Sequence, residues 1–126
     1  MGAWGRRFES CLPDMDTNRK GNIGEAKVLS YFIQEGYEVY IPFGTATTND
    51  LVVIKDNKSY RVSVKSTSTR TDSGKWEVRI RQSSHKGRTL FDKNKTDLLA
   101  IYIIPEDRIV ILNSQDISTV SSISIS

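Results

Sequence analysis

The chain has 126 residues, about one domain's length, and 37% of them are apolar, enough for one modest core. No apolar run approaches the ~18–20 residues of a membrane helix, and nothing resembles a secretory signal. The single cysteine, Cys11, excludes an internal disulfide and a cysteine metal cluster, and the formal charge of +3 is only mildly basic.

A reducing, cytoplasmic setting with no membrane partner is therefore expected. The run Gly5-Arg6-Arg7-Phe8-Glu9-Ser10-Cys11-Leu12-Pro13-Asp14 reads like a translation of the T-arm of a transfer-RNA gene. On that reading residues 1–14 are a non-native extension and Met15 is the start. The alternative is a genuine arm in which Trp4 and Phe8 dock on the core. Residues 18–35 predict a helix, with Val28, Leu29, Phe32 and Ile33 in one apolar stripe at helical spacing. Gly36 stands where a C-cap glycine belongs, and Asp16, Thr17 or Asn18 can cap the start.

Short strands are predicted over 37–42, 51–55, 60–65, 76–81, 98–104 and 108–112. Asp56-Asn57 and Glu106-Asp107 are turn pairs, so each flanking pair of strands forms a hairpin. Residues 44–49 form a loop of small and hydroxyl side chains, and 67–74 and 82–95 are polar, basic connections. The end of the chain, 118–126, has five serines in nine residues. It is expected to fray, with an edge strand carrying Ile123 and Ile125 as the alternative. A helix followed by several strands indicates α+β or a mixed α/β sheet with the helix on one face. The domain is expected to span 15–117.

Charge is distributed unevenly. Residues 61–95 hold 10 basic and 3 acidic side chains, whereas 1–60 hold 7 and 8, and 96–126 hold 1 and 4. The basic segment is a candidate phosphate-binding surface, and a solvated charged face is the plain alternative. His85, the lone histidine, lies in it and suits a phosphate contact or a turn better than catalysis. In strand 76–81, Trp76, Val78 and Ile80 alternate with Glu77, Arg79 and Arg81. The two arginines lie either against DNA or in ion pairs with Glu77. Tyr31, Tyr37 and Tyr40 are read as packing residues.

Three positions carry chemistry. Glu25 begins the helical stripe, where an unpaired buried carboxylate costs several kcal/mol, roughly, unless it serves a purpose. Its plain reading is a first-turn acid favoured by the helix dipole. A two-residue turn at Asp56-Asn57 pairs Lys55 with Lys58, Val53 with Tyr60, Leu51 with Val62 and Asp50 with Ser63. Leu51, Val53, Tyr60, Val62 and Val64 then share an apolar face, and Asp50, Ser63 and Lys65 share the other. Two carboxylates beside a lysine are what Mg²⁺-assisted phosphodiester hydrolysis needs. An ordinary surface ion pair of Asp50 with Lys65 is the plain reading of those two.

The segments Lys20-Gly21-Asn22-Ile23-Gly24-Glu25, Gly36-Tyr37-Glu38-Val39, Ile41-Pro42-Phe43-Gly44, Asn49-Asp50-Leu51-Val52-Val53 and Arg61-Val62-Ser63-Val64-Lys65-Ser66 resemble, in order and spacing, the PD-(D/E)XK endonuclease family. The likeness is to its small group-I-intron homing endonucleases and, further off, to archaeal Holliday-junction resolvases. It implies an α/β fold, a restriction-endonuclease-like core with a mixed central sheet and a helix packed on it. It also implies catalytic Glu25, Asp50, Lys65 and Ser63, with Glu25 and Asp50 as the metal ligands for Mg²⁺. Two positions depart from the pattern. Asn49 replaces the usual Pro, and Ser63 replaces a Glu, Asp or Gln. The missing charge is then expected from Glu25, or else from Glu77, or else the site has lost activity.

These features together point to a Mg²⁺-dependent DNA endonuclease of a mobile element. It would grip double-stranded DNA through Arg70, Lys75, Arg79, Arg81, His85, Lys86 and Arg88, and act as a homodimer or homotetramer. A junction resolvase, or a non-catalytic DNA-binding module derived from a nuclease, are the competing readings.

Overall fold

A computed structural model describes residues 17–44, 47–84, 87–119 and 121–126, and for 82–84 and 87–89 it describes the backbone alone. The expectations for residues 1–14, for Asp16 as a cap and for His85 and Lys86 lie outside the described residues, as does the Arg88 side chain.

Helix α1 (Thr17–Gln34) is followed by strands β1 (Glu38–Tyr40), β2 (Leu51–Lys55), β3 (Lys58–Thr67), β4 (Trp76–Arg79), β5 (Gln82–Ser84), β6 (Gly87–Thr89), β7 (Leu98–Ile103), β8 (Arg108–Asn113) and β9 (Ser122–Ile125). Five of these form one mixed sheet, ordered β1-β2-β3-β7-β8, in which only β3 and β7 run parallel. The expected α/β class and central sheet are what the chain adopts.

The β2–β3 hairpin has the predicted register, Leu51 opposite Val62, Val53 opposite Tyr60 and Lys55 opposite Lys58. Asp56 and Asn57 both have positive φ, 53° and 65°, the geometry of a type I′ turn that matches strand twist. The β7–β8 hairpin also forms, but its loop is longer than the Glu106-Asp107 pair. A 3-10 turn at Ile104–Glu106 precedes Asp107, which is left-handed at φ 48°.

Helix α1 ends in a Schellman arrangement. Tyr37 N–H reaches Phe32 O at 3.0 Å and Gly36 N–H reaches Ile33 O at 3.1 Å, with Gly36 at φ 88°. The Tyr37 ring meets Phe32 edge-on at 5.1 Å, and Lys55 Nζ donates to Glu35 O at 2.8 Å. The buried line of the helix is Gly24, Val28 and Phe32, whereas Ile33 is 55% exposed. This corrects the predicted stripe. Gly24 has no side chain to contribute to a hydrophobic count, yet it is buried against Ser66 of β3, so the stripe centres one position earlier.

The sheet separates two cores. On the helix side Val28 and Phe32 pack with Leu51, Val53, Val62, Val64 and Ala100. On the other side Trp76, Val78 and Ile80 pack on Leu99, Ile101 and Ile103. The second layer is a ribbon of β4 with β9, Trp76 opposite Ile125 and Val78 opposite Ile123. Of the two forms weighed for the serine-rich end, the edge strand is the one taken. Its isoleucines cover the core, and Arg108 Nη2 donates to Ser126 O at 2.6 Å. Strand β4 stops at Arg79, short of the predicted 81, and part of the 82–95 connection is itself a hairpin of β5 with β6. Among the described residues no helix is long and apolar enough to cross a membrane.

A Cβ added at Gly24 would overlap Ser66 Oγ and lie 3.4 Å from Ser66 Cβ. Ser66 Oγ itself is buried without a hydrogen-bond partner. Gly24→Ala should therefore destabilise the fold by ~1–3 kcal/mol, the usual cost of overpacking. Ser66→Ala should cost nothing and recover most of that loss in the double variant, leaving only the 3.4 Å contact. Additive effects in a denaturation cycle would reject this account of the helix–strand contact.

Candidate active site

Asp50 stands one residue before β2, where the hairpin ladder opens. Its N–H donates to Val62 O at 2.9 Å, and its Oδ2 accepts from Val64 N–H at 2.7 Å. Both bonds fix the carboxylate against β3. Ser63 and Lys65 lie on the same sheet face, because alternate strand residues share a side. Ser63 is 2% exposed and Lys65 is partly buried, with its Nζ donating to Arg81 O at 3.3 Å. Glu25, partly buried, follows Gly24 on α1, so the close helix–strand approach carries it to the site.

Asp50 is the shared member of two charge couplings. Burial pushes the Glu25 carboxyl up, and the Asp50 charge pushes it further. Burial also raises Asp50, against the Val64 hydrogen bond and the Lys65 ammonium, which hold it down. Burial lowers Lys65, and Asp50 opposes that shift. Two carboxylates that both resist ionisation form a site short of positive charge. Two carboxylate ligands completed by water and phosphate oxygens suit Mg²⁺, a hard cation that keeps part of its hydration. No group of three His, Cys, Asp or Glu side chains that could hold a metal occurs among the described residues.

Glu77 pairs with Arg79 at 3.9 Å on the face of β4 away from the core. Its backbone ties β4 to the end of β3, with Thr67 Oγ1 donating to Glu77 O at 2.5 Å and Glu77 N–H to Thr69 O at 2.9 Å. Arg79 and Arg81 line an open trough with Ser121 and Ser122, next to the Lys65 ammonium through the Arg81 carbonyl. Arg70 is engaged within the fold. Its guanidinium stacks 4.1 Å from the Trp76 ring, donates to Gly74 O at 2.8 Å and lies 3.7 Å from Glu106. Lys75 is exposed on the turn before β4.

The sequence reading missed a second group beside Asp50. Asn49 Nδ2 donates to Lys95 O at 2.9 Å, and its Oδ1 accepts from the fully buried Thr96 hydroxyl at 2.7 Å. A side-chain clamp thus fixes the chain where a Pro was expected. Arg61 grips Asp97 in a two-pronged pair, Nε to Oδ2 at 3.0 Å and Nη2 to Oδ1 at 3.2 Å. Backbone bonds in both directions join the same residues, Arg61 N–H to Asp97 Oδ2 and Asp97 N–H to Arg61 O. This pair locks the start of the parallel β3–β7 contact. Each of these residues pairs across more than 30 positions, so no local pattern announces them.

A model of the PD-(D/E)XK endonuclease family matches residues 15–125, and the chain belongs to that family. It is 33% identical over 91 residues to Protein 5.3 of Escherichia phage T7, covering 71% of this chain and 75% of that one. Its fold is similar to that of the bacterial homing endonuclease I-Ssp6803I. The TM-score is 0.76 at 22% identity, over 89% of this chain and 79% of that one.

Both acids hold their protons more tightly in the folded chain than in the unfolded one, so their ionisation opposes folding. In metal-free solution that cost is absent below the ordinary carboxylate pKa and grows as pH rises through the folded values. Asp50→Asn keeps an oxygen for Val64 N–H. It should raise the melting temperature by a few degrees near neutral pH, with the gain vanishing below about pH 4. Added Mg²⁺ should stabilise the unaltered protein and not the variant. Thermal melts in EDTA and in Mg²⁺ across pH check this, and an Asp50→Asn protein that melts lower at neutral pH would refute it.

Proposed function

We propose that this member of the PD-(D/E)XK endonuclease family is a Mg²⁺-dependent DNA endonuclease that hydrolyses phosphodiester bonds, in the manner of a homing enzyme of a mobile element. The observation that carries the reading is the Asp50 carboxylate, fixed by Val64 N–H and coupled to both Glu25 and Lys65. Asp50 and Glu25 hold the cation, Asp50 from a rigid strand end and Glu25 from the docked helix. When bound, Mg²⁺ supplies Lewis acidity toward the phosphoryl oxygens. Lys65 Nζ, steered by the Arg81 carbonyl, faces the charge that builds on those oxygens and orients the attacking water. Drawn partly out of water, the ammonium interacts more strongly than a solvated one. Ser63 brings no charge, so Glu25 is the second acid. Glu77, paired with Arg79, is not needed.

Arg79 and Arg81 hold the DNA backbone next to Lys65, with Lys75 at the edge of the same surface. One chain offers one such site, so cutting both strands of a duplex calls for a homodimer or a homotetramer, and two-fold symmetry suits a nearly palindromic target. The name of the structural neighbour supports the homing assignment.

A plasmid-nicking assay with Mg²⁺ and with EDTA tests the reading. Nicking should require Mg²⁺, vanish in Asp50→Ala and fall by ~10²–10³-fold in Lys65→Ala. A DNA-binding, oligomeric preparation that never nicks would make the protein a binding module, the role that Ser63 favours. Cleavage of four-way junctions with little sequence preference would make it a resolvase.

A further inference from the structure

We propose that the open cleft next to Asp50 is a binding site for the nucleotide and phosphodiester that flank the scissile one on the same DNA strand; the proposal rests on the nuclease reading above. The cleft has a volume of about 400 Å³ and is lined by Thr48, Asn49, Arg61 and Lys95, with Pro42 and Val52 as apolar surface. Its place follows from the strand register. Val52 pairs with Arg61, and the next same-face positions along β2 and β3 are Asp50 and Ser63. At ~3.3 Å per residue, the cleft lies roughly 6–7 Å from the acid. Along the β3 face the order is Arg61, Ser63, Lys65, and the Lys65 ammonium then meets Arg81 O. Cationic groups therefore flank the cutting position on both sides, Arg61 and Lys95 on one and Arg79 and Arg81 on the other. A strand crossing the site from the cleft to the trough meets all of them.

The cleft walls are held in place before any ligand arrives. Arg61 is pinned through Nε and Nη2 to Asp97 and to Asn94 O. Asp97 offsets its charge, so Arg61 serves as an oriented donor and the exposed Lys95 as the cation. The opposite wall is fixed to Lys95 by Asn49, which the buried Thr96 hydroxyl holds in turn. Positive charge and a hydroxyl above an apolar floor match a nucleotide, whose phosphate is anionic and whose sugar and base are less polar.

The test uses the unaltered protein in EDTA, so that no cleavage intervenes, with two probes: thymidine 3′,5′-bisphosphate and a duplex of about thirty base pairs. Amide shift mapping should show saturable changes at Thr48, Asn49, Val52 and Lys95 with the bisphosphate and none with neutral thymidine. Lys95→Ala should weaken bisphosphate binding about tenfold and reduce the salt slope of duplex binding by about 1. Lys95→Arg should restore both. The clamp uses the Lys95 backbone oxygen, so the melting temperature of Lys95→Ala should match that of the parent. Changes confined to the Arg79–Arg81 trough, or equal bisphosphate affinity in Lys95→Ala, would overturn the cleft assignment while Mg²⁺-dependent nicking kept the nuclease reading. Failure to bind any DNA would overturn both.

Discussion

The close approach of α1 to β3 is the contact on which the rest of the architecture depends. Gly24 and Ser66 meet where a single methyl group would not fit, which brings the helix axis down onto the hairpin. Val28 and Phe32 extend that contact into the core shared with Leu51, Val53 and Val62. Polar ties fix the middle and the C-terminal end of the helix. Lys27 pairs with Asp107 at 3.1 Å, and Asp107 accepts from Tyr102 Oη at 2.5 Å; burial, aided by that hydrogen bond, pushes the Tyr102 hydroxyl up to about 12. At the C-terminal end Lys55 closes on Glu35 O. The helix therefore has one seating, and Glu25, the residue after Gly24, has one place to go.

That seating has an electrostatic cost. Glu25 and Asp50 are both partly buried and both resist ionisation, and the Lys65 ammonium beside Asp50 is itself disfavoured by burial. Uncompensated charge of this kind is a poor device for holding a fold together and a good one for capturing a cation. Neither the helix nor the hairpin needs it. The Arg61–Asp97 pair on the same strand behaves in the opposite way. There the guanidinium hydrogen bonds hold Asp97 below the usual carboxylate range, and the pair fastens β3 to β7. Two acid–base arrangements a few residues apart thus separate structure from proposed chemistry.

Local pattern made the hairpin legible residue by residue. Alternation fixed which side each residue faces, and Asp56-Asn57 fixed the turn, so the register of Leu51 through Val62 followed. The ordered motifs made the family legible as well. Features without a local signal were harder to read. Ile33 fits the helical period but lies outside the narrow strip that Gly24, Val28 and Phe32 press onto the sheet. Strand β9 alternates Ser with Ile over only four residues, too short a pattern to choose between a frayed end and an edge strand, and its partner β4 lies more than forty residues earlier. Asn49, Arg61, Lys95 and Asp97 act across long separations, where composition gives a net charge but no partner.

Ser63 gains a physical reason from its surroundings. It is 2% exposed on a strand interior beside Leu99, its partner in the parallel ladder. An ionised Glu at that position would be a third carboxylate beside two that already resist ionisation, and among the described residues Lys65 is the cation coupled to Asp50. A neutral hydroxyl avoids that penalty. In the proposed metal pair the second negative charge then comes from α1 instead of β3. Charge borne on the strand would be fixed by the ladder alone, whereas charge borne on the helix is fixed only as well as the helix is seated. In this chain the geometry of the proposed metal pair therefore rests on the Gly24–Ser66 contact, and packing at a glycine becomes a determinant of the chemistry proposed for the neighbouring glutamate.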